Sequence, residues 1–465
     1  MTQLGGVPSS TTGAANLGKL LQIVYTDGIV NQISEDFRDW EMITRKKVSD
    51  EAARSVNFML QTALGARAIQ WSAQGSSASF PNAQQVKALE KSAGFNEVFS
   101  TIELEYDLWD RALSSPHKYI EPLALEITSK GIAQKRRLSI DLHGDGTGVI
   151  GTMHASTDPS KVNTTELLFT FADNGDGARW CEFEDAISVY NTDGTVEVTP
   201  GSGKFSYGIV VEKDRDNNTV TVQGYDSDDT PLTEAETDTA VTELAGANGH
   251  LVYRFDQGTK ADLSSAPSTE YNDLTEVLPG LDTLFANDGR LIHGITMRGA
   301  TAGTQYDCQA QPFDMTFIQK GMDRVKTIVG QGRYKYKQCL SAPETISSLI
   351  DAQEQDRRLI SINDDKRGFK GFGYRHGNDE LAFMDTEFTH GQRVWILPEG
   401  GKEKGVCELH GKDFKDVKVG NQDMFLRPSA TTAGHDPFVR KYMFGYMTLI
   451  SRHPAAGLSL RNFTT

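Results

Sequence analysis

The chain has 465 residues, 38% of them hydrophobic, which is enough for about two to four domains that each bury a core. No apolar run approaches the roughly 20 residues that cross a bilayer, and the first sixteen residues are uncharged, so the sequence indicates neither a membrane span nor a secretory signal. Four scattered cysteines are too few for a disulfide framework and favour a reducing cytoplasm. The net charge of −16 is unevenly distributed.

The first 113 residues predict two projecting segments. Residues 1–51 are expected to form an N-terminal arm, in which Leu20 and Val24 are apolar residues at helical spacing. Residues 52–113 are expected to form a long two-stranded arm, because apolar and polar residues alternate in its returning strand with the period of a β-ribbon and its outgoing strand is mostly apolar. The apolar positions are Val56, Phe58 and Leu60 in the outgoing strand and Ile102, Leu104, Tyr106 and Leu108 in the returning strand. An isolated ribbon is marginally stable in water, so another copy of the chain is expected to cover this apolar face.

A long helix is predicted after the arm, from about residue 117 to residue 141, within a segment 114–162 that includes its exit loop. Lys135, Arg136 and Arg137 lie in its last turns, where cations complement the helix dipole. A solvated helix end explains these three charges better than a nucleic-acid site does.

Residues 163–260 are expected to form an acidic β-rich domain inserted into a mixed α+β body. From Glu166 to Lys260 the sequence has 19 acidic and 6 basic residues, so this stretch carries 13 of the 16 excess negative charges. Such local acidity argues against a nucleic-acid surface in this domain. Five β-like runs separated by turn-forming residues predict a small barrel or sandwich, and the runs are 166–171, 186–190, 208–212, 219–222 and 250–255.

The remaining residues are expected to alternate between helices and strands. Residues 261–365 contain a predicted helix at 313–329 that stops at Gly330, with Phe313, Phe317, Val325 and Ile328 facing inward. They also contain a capping box from Ser341 to Glu344 that starts a helix ending near Arg358. Residues 366–465 are expected to be mainly strands, at 381–384, 393–397 and 442–450.

Four short motifs for ligands fail on their context. Gly146–Gly151 has the letters of a dinucleotide fingerprint, but a helix precedes it where a strand is required. Gly201–Lys204 lacks two residues of a phosphate loop, and Asp214–Asn218 lacks the glycine and the glutamate of a calcium loop. Cys407 and His410 would supply only half of a zinc site. No catalytic motif is recognisable, although the residues of a triad can be scattered along a chain, and the chain is expected to be no enzyme and to need no cofactor or metal.

The order of the segments resembles the major capsid proteins of tailed bacteriophages, which have the Hong Kong phage-type fold. The resemblance rests on the N-terminal arm, the extended loop and the long helix in that order, and it covers most of the chain. Further stretches resemble the loop that leaves this helix, a strand that enters a helix of the axial domain, and the closing peripheral strands; they are 144–148, 336–344, and 391–398 with 442–462.

The resemblance implies an α+β fold with an N-terminal arm, an extended β-hairpin loop, a long spine helix, peripheral and axial domains, and a β-rich insertion domain. In this scheme residues 114–162 belong to the peripheral domain, 163–260 form the insertion domain, 261–365 the axial domain, and 366–465 supply closing strands of both. The implied contacts between subunits are Leu20, Val24, the seven apolar arm residues named above, and Lys135, Arg136 and Arg137.

The resemblance also implies a function. Copies of the chain would form hexamers and pentamers that tile an icosahedral head around double-stranded DNA, assembled in the host cytoplasm and without a membrane. Besides the chain itself and non-specifically held DNA, the expected partners are scaffolding, portal and decoration proteins.

Two other classes of protein remain open from the sequence. The acidic β-rich middle suggests a carbohydrate-binding or adhesive β-protein, which would form a small stable oligomer and retain a specific ligand. A hydrolase would need a convergent pocket, which the sequence does not reveal.

Overall fold

The computed structural model has a mixed architecture of helices with antiparallel and parallel strands. It describes residues 39, 43–48, 55–63, 87–105, 122–154, 159–172, 177–190, 205–226, 230–244, 250–254, 278–293, 295–330, 334–357, 373–376, 379–398, 406–416, 425–428 and 435–464.

The described strands, in chain order, are β1 (Thr44–Lys47), β2 (Ser55–Ala63), β3 (Lys87–Gly94), β4 (Asn96–Glu105), β5 (Val149–Thr152), β6 (Ser160–Lys161), β7 (Glu166–Thr170), β8 (Ala186–Tyr190), β9 (Tyr207–Asp214), β10 (Thr219–Tyr225), β11 (Leu251–Arg254), β12 (Leu291–Ile292), β13 (Ile295–Thr296), β14 (Thr304–Pro312), β15 (Tyr336–Ser341), β16 (Gly373–His376), β17 (Asp379–Asp385), β18 (Arg393–Pro398), β19 (Cys407–Asp416), β20 (Phe425–Pro428), β21 (His435–Ser451) and β22 (Leu458–Thr464). The described α-helices are α1 (Pro122–His143), α2 (Gly177–Trp180), α3 (Glu234–Leu244), α4 (Leu281–Leu284), α5 (Met315–Val329) and α6 (Pro343–Arg357). Two 3₁₀ turns lie at Gly299–Thr301 and Pro454–Ala456.

The body contains two larger sheets. In the first, called the β21 sheet, β21 pairs with β19 and β20 on one edge and β4 on the other, and β1 adds to β19 in parallel. The second, called the β18 sheet, has the order β14-β22-β18-β15-β17-β16. β2 and β3 form a separate hairpin.

The β18 sheet explains the apolar run that the sequence shows at Val394–Leu397. β18 lies between β15 and β22 and its side chains from Val394 to Pro398 are buried. A strand that is covered on both faces carries a continuous apolar run instead of an alternating one. The predicted strands at 381–384, 393–397 and 442–450 are all confirmed, because they lie within β17, β18 and β21.

Helix α5 packs on the β18 sheet through Ile318, Met322 and Val325, which are all fully buried. It ends at Gly330, which has φ 96° and donates its N–H to the carbonyl of Lys326 at 3.0 Å. The predicted helix is confirmed with its C-terminal stop, but the inward position of Ile328 is wrong, since this side chain is 55% exposed. The next residue, Val329, continues the apolar stripe instead, since it packs against the same core and is partly buried.

Helix α6 ends at Arg357, one residue before the predicted end. Its N-terminus differs from the predicted capping box. Ser341 is the last residue of β15, and the carbonyl of Ala342 accepts the first bonds, from Thr345 at 3.1 Å and Ile346 at 3.3 Å.

Strands β5 to β11 close into a barrel. They pair in the antiparallel order β5-β11-β8-β9-β10-β7, with β6 beside β7. A bridge between Met153 and Phe171, with a bond from His154 N–H to the carbonyl of Thr170 at 2.9 Å, joins the ends of β5 and β7. Alternation places Leu167 and Phe169 inside. The five predicted β runs are all confirmed as strands, but the barrel begins at β5, before residue 163, and helix α3 was not predicted.

Helix α1 joins the barrel to the body. The part of the predicted helix from residue 122 onward is confirmed, and residues 117–121 lie outside the described residues. Its exit loop leads directly into β5 and not into a helix, so the fingerprint letters at 146–151 lack the helix N-terminus that binds phosphate. In the described part of the chain, none of the helices combines the length and the apolar composition that crossing a membrane requires.

Candidate functional site

The base of the arm is the hairpin of β2 and β3, in which Val56 lies opposite Ala93 and Phe58 opposite Lys91. One face of this hairpin is buried, since Phe58 is 5% exposed, Leu60 is 4% exposed and Ala93 is fully buried. Alternate residues of a strand point to opposite faces, which explains why Val56, Phe58 and Leu60 share this one. The predicted apolar face of the outgoing strand is therefore present.

That buried face packs against the chain's own body. Phe58 meets the ring of His293 edge-on, with 6.1 Å between centroids and an interplanar angle of 85°. His293 donates from Nε2 to the carbonyl of Leu449 at 3.1 Å, and burial lowers its pKa to about 4, so the ring is neutral at neutral pH. Phe58 and Leu60 belong to one core cluster with this region. The expectation that only another copy of the chain covers these two side chains is corrected accordingly.

The returning strand has a different partner from the one predicted. β3 continues through Phe95 into β4, and β4 pairs with β21, with Ile102 opposite Lys441 and Leu104 opposite Val439. β2 pairs with residues 87–94 instead. The predicted pairing of the outgoing strand with the returning strand is thus wrong for residues 102–105, because periodicity identifies the faces of a strand but not its neighbour. The rest of the predicted returning strand, residues 106–108, lies outside the described residues.

Four predicted contact residues lie outside the described residues, and their role stays a prediction: Leu20, Val24, Tyr106 and Leu108. Ile102 and Leu104 are placed only as positions in β4. Val56 is half-buried and packs against the body core with its hairpin neighbours.

The opposite face of the hairpin carries a residue that the sequence analysis missed. Met59 is 65% exposed and lies opposite Glu90, which is exposed as well. A single exposed apolar side chain is ordinary on a protein surface. This one lies on the outer face of a hairpin whose inner face, with Phe58 and Leu60, is buried. The break in alternation at Phe58-Met59-Leu60 was the signal available in the sequence.

The three basic residues at the end of α1 have different environments. Arg136 is 8% exposed, bonds to Glu182 of the barrel and lies 3.3 Å from Glu387. Arg137 is half-buried and lies 4.0 Å from an aspartate one turn later, whereas Lys135 is exposed. A solvated position is wrong for Arg136, because the barrel covers it and two carboxylates of the same chain balance its charge. A contact of these three basic residues with another subunit stays a prediction.

The N-terminal segment is held on the body by two buried carboxylates. Lys46 of β1 lies 2.7 Å from Glu408 of β19, and the Glu408 side chain has no exposed surface. Asp39 lies 3.5 Å from His143 at the end of α1, and both of these side chains are fully buried. Among the described residues, this part of the arm therefore lies on its own subunit.

The described residues contain no cluster of three or more metal-ligating side chains. His410 bonds to Glu408 at 2.9 Å instead of completing a zinc site with Cys407. The four cysteines are buried free thiols, and burial raises the pKa of Cys308 to about 11. A thiol with a raised pKa is a poor nucleophile and a poor metal ligand at neutral pH.

No protein-family model matches the chain, and no curated protein is similar to it in sequence. Solved structures are similar to it in fold. The cyanophage A-1(L) capsid asymmetric unit superimposes with a TM-score of 0.50 at 8% identity, over 96% of this chain and 98% of that chain. A native GTA particle capsid superimposes with a TM-score of 0.45 at 8% identity, over 98% of this chain and 100% of that chain.

The holo-SrpI encapsulin complex from Synechococcus elongatus PCC 7942 superimposes with a TM-score of 0.40 at 10% identity, over 96% of this chain and 95% of that chain. The cyanophage capsid has the highest TM-score of these three, and the assignment of the fold rests on it. The resemblance found in the sequence is thereby confirmed at the level of overall fold: this chain has the α+β fold of a phage capsid protein.

Proposed function

We propose that this chain is the major capsid protein of a tailed bacteriophage, a non-catalytic subunit that assembles with copies of itself into hexamers and pentamers of an icosahedral head. The observation that carries the proposal is the likeness to the cyanophage capsid chain over 96% of this chain and 98% of that one.

The proposal assigns each described element to a part of the capsid subunit. The β2–β3 hairpin is the base of the extended loop, α1 is the spine helix, and the barrel is the insertion domain. The β21 sheet, with the long strand β21, is the peripheral domain, and the β18 sheet with α5 and α6 is the axial domain.

The contacts between subunits follow from the hairpin. Its inner face rests on its own body through Phe58 and Leu60, which aims the hairpin and the loop beyond it. Its outer face then meets the neighbouring copy, with Met59 as the apolar contact. Leu20, Val24, Tyr106 and Leu108 remain proposed contacts of the two projecting segments.

Many modest contacts are enough for a durable shell. Burying about 1,000 Å² of apolar surface per subunit would gain roughly 25 kcal/mol, and the ordering of side chains and loops offsets much of that gain. Because every subunit repeats the same contacts around a closed surface, the assembly persists although each contact is weak.

The charge distribution suits a container for double-stranded DNA. The residues from Glu166 to Lys260 carry 13 of the 16 excess negative charges, which leaves the rest of the chain close to neutral. A strongly basic inner wall would bind phosphates tightly, since each contact adds a salt-dependent term to the affinity. With the acidic barrel outside, a nearly neutral wall holds DNA non-specifically. Scaffolding, portal and decoration proteins complete the set of proposed partners.

The test is to express the full chain alone and together with the proteins encoded beside it, followed by sedimentation and negative-stain microscopy. Closed shells or discrete hexamers and pentamers are the expected products, and nuclease-protected DNA inside the native particle is the expected content. A monomer or small oligomer that retains a glycan would support the carbohydrate-binding class instead and would overturn the shell.

A further inference from the structure

The barrel carries an apolar surface. It consists of Phe183, which is 59% exposed, and Val211, which is 43% exposed, and is called the Phe183 patch below. The turn before β8 bonds to β9 next to Val211, through Glu184 N–H and the carbonyl of Val210 at 2.9 Å, so the two side chains belong to one part of the barrel. Lys213 Nζ lies 5.8 Å from the centroid of the Phe183 ring.

A strained turn presents Phe183. Glu182 N–H donates to the side chain of Asp185 at 3.0 Å, and Asp185 N–H donates back to the carbonyl of Glu182 at 3.1 Å. Between them Glu184 has φ 68°, in the left-handed region. This backbone conformation is unfavourable for a residue other than glycine. The turn therefore accepts backbone strain while it leaves a phenylalanine in water.

A β-bulge presents Val211. Val210 lies opposite Val222 of β10, and Glu212 lies opposite Thr221, so Val211 is the extra residue without a partner in that strand. Both Val211 and Glu212 are exposed. A bulge redirects side chains and is typical of positions beside functional sites. Two separate backbone irregularities thus expose two apolar side chains at the same place, which favours a binding surface over chance exposure.

Acidic side chains follow this apolar centre along the chain. Glu212, Asp214 and Asp216 are exposed along the same strand and the turn that follows it. The nearby cations Lys213 and Arg215 form ion pairs within the chain. The rim of the patch is consequently negative, in a segment that holds 13 excess negative charges.

We propose that the Phe183 patch is the docking site of a separate protein, whose binding face has a pocket for the phenylalanine ring and a rim of lysine and arginine. An apolar centre with a charged rim is the anatomy of specific interfaces, and aromatic anchors carry most of their binding energy. The same patch on a second copy does not fit, because two acidic rims repel each other. The docking site deepens the proposed function by naming the chemistry of a partner that binds the shell. It rests on that function only in that the partner is sought among the proteins of the particle.

The experiment places the photoreactive residue p-benzoylphenylalanine at position 183 of the full chain, in infected cells that make the whole particle. The control places it at Val162, which is 53% exposed on the same barrel. Irradiation is expected to join position 183, and not position 162, to a different protein with a net positive charge. Adding Val211→Asp is expected to lower the yield about tenfold, as the loss of a central contact does, and raising the salt concentration lowers it as well.

Four results would overturn the docking site: products that contain only this chain, an acidic partner, no product, or a yield that Val211→Asp leaves unchanged. The melting temperature of each variant shows that folding is retained. If particles form normally but no cross-link is found, the docking site is excluded and the proposed capsid function stands. If position 183 is cross-linked to a basic protein in cells where no particle forms, the docking site stands and the capsid function is excluded.

Discussion

The side chain of Glu408 has no exposed surface and accepts hydrogen bonds from Lys46 at 2.7 Å, His410 at 2.9 Å and Arg452 at 2.9 Å. Burial by itself would raise the pKa of this carboxyl, but the bonds from His410 and Lys46 and the charge of Arg452 more than offset it, so the pKa lies below its ordinary value of 4.5. An unpaired buried charge would be costly, which explains why three donors converge on it.

Glu408→Gln is expected to lower the free energy of unfolding by about 1–3 kcal/mol at neutral pH, a value reduced because Lys46 and Arg452 are partly exposed. The folded pKa is lower than the unfolded one, so this contribution is present above the ordinary glutamate pKa and is lost as the pH falls through the folded pKa. Chemical denaturation at neutral pH and at about pH 3 measures it. The difference between variant and parent should shrink in acid; an equal difference at both pH values would contradict this role.

Gly280 lies where no other residue fits. A Cβ at this position would overlap the backbone carbonyl oxygens of Gly144 and Asp141, at the end of α1. Gly280→Ala is expected to destabilise the chain by roughly 3 kcal/mol, because backbone atoms cannot rotate away as a side chain can. The matched control is Gly94→Ala, where a Cβ meets nothing within 4 Å and no loss is expected. Calorimetric melting compares them, and similar melting temperatures would refute the close approach.

At the scale of elements, local signals identified the type of several described segments. The stop at Gly330, the apolar run of β18 and the five β runs of the barrel all depend on residues within one segment. The inward face of α5 was misplaced at Ile328 because residues three and four positions after Val325 both fit the same apolar stripe, and only the packing of the helix selects Val329. Helix α3 was not predicted, because acidic residues alternate with alanine and threonine in its first half, a pattern that also fits an acidic loop.

Met59→Asp tests the hairpin's outer face. The variant is expected to fold normally, because Met59 is 65% exposed, and to assemble poorly, since a charge would replace an apolar contact in every subunit. A loss of about 1–2 kcal/mol per contact is expected and is repeated around the shell. Sedimentation velocity gives the assembled fraction, with Asn57→Asp as the control on the same face of β2. Equal assembly by the two variants would exclude Met59 as a contact.

At the scale of the whole molecule, the barrel and the body are distinct in charge and joined by specific bonds. Trp180 Nε1 donates to the carbonyl of Phe388 at 2.9 Å, and Arg179 donates to that of Thr389 at 3.1 Å. With Arg136 between Glu182 and Glu387, these bonds fix the barrel on α1 and on the loop between β17 and β18. The acidic domain is therefore held in one position on the body.

Replacing residues 149–254 by a short Gly/Ser linker tests where the barrel lies in a shell. Val149 lies opposite Tyr253, so a short linker can rejoin the body. The excised segment contains 19 acidic and 6 basic residues, which is 13 excess negative charges per subunit. If the barrel lies outside, shells without it should migrate much more slowly towards the anode in agarose electrophoresis. Only charge near the outer surface drives this migration, because charge on the inner wall lies farther than a Debye length from the outer solution and is screened. Unchanged mobility of intact shells would place the barrel inside.

The sequence by itself determined the acidic β-rich segment and the long helix, because periodicity, glycine stops and composition act over short distances. The capsid-like fold came from the resemblance to a known family, which the overall likeness to a solved capsid chain supports. The tertiary structure alone decided which strands pair: residues 96–105 join β21, more than 300 positions away, and residues 87–94 take the place expected for them beside β2. It also decided that Arg136 is buried and Met59 exposed. A periodic pattern specifies the face of an element, whereas its neighbour depends on contacts that span the whole chain.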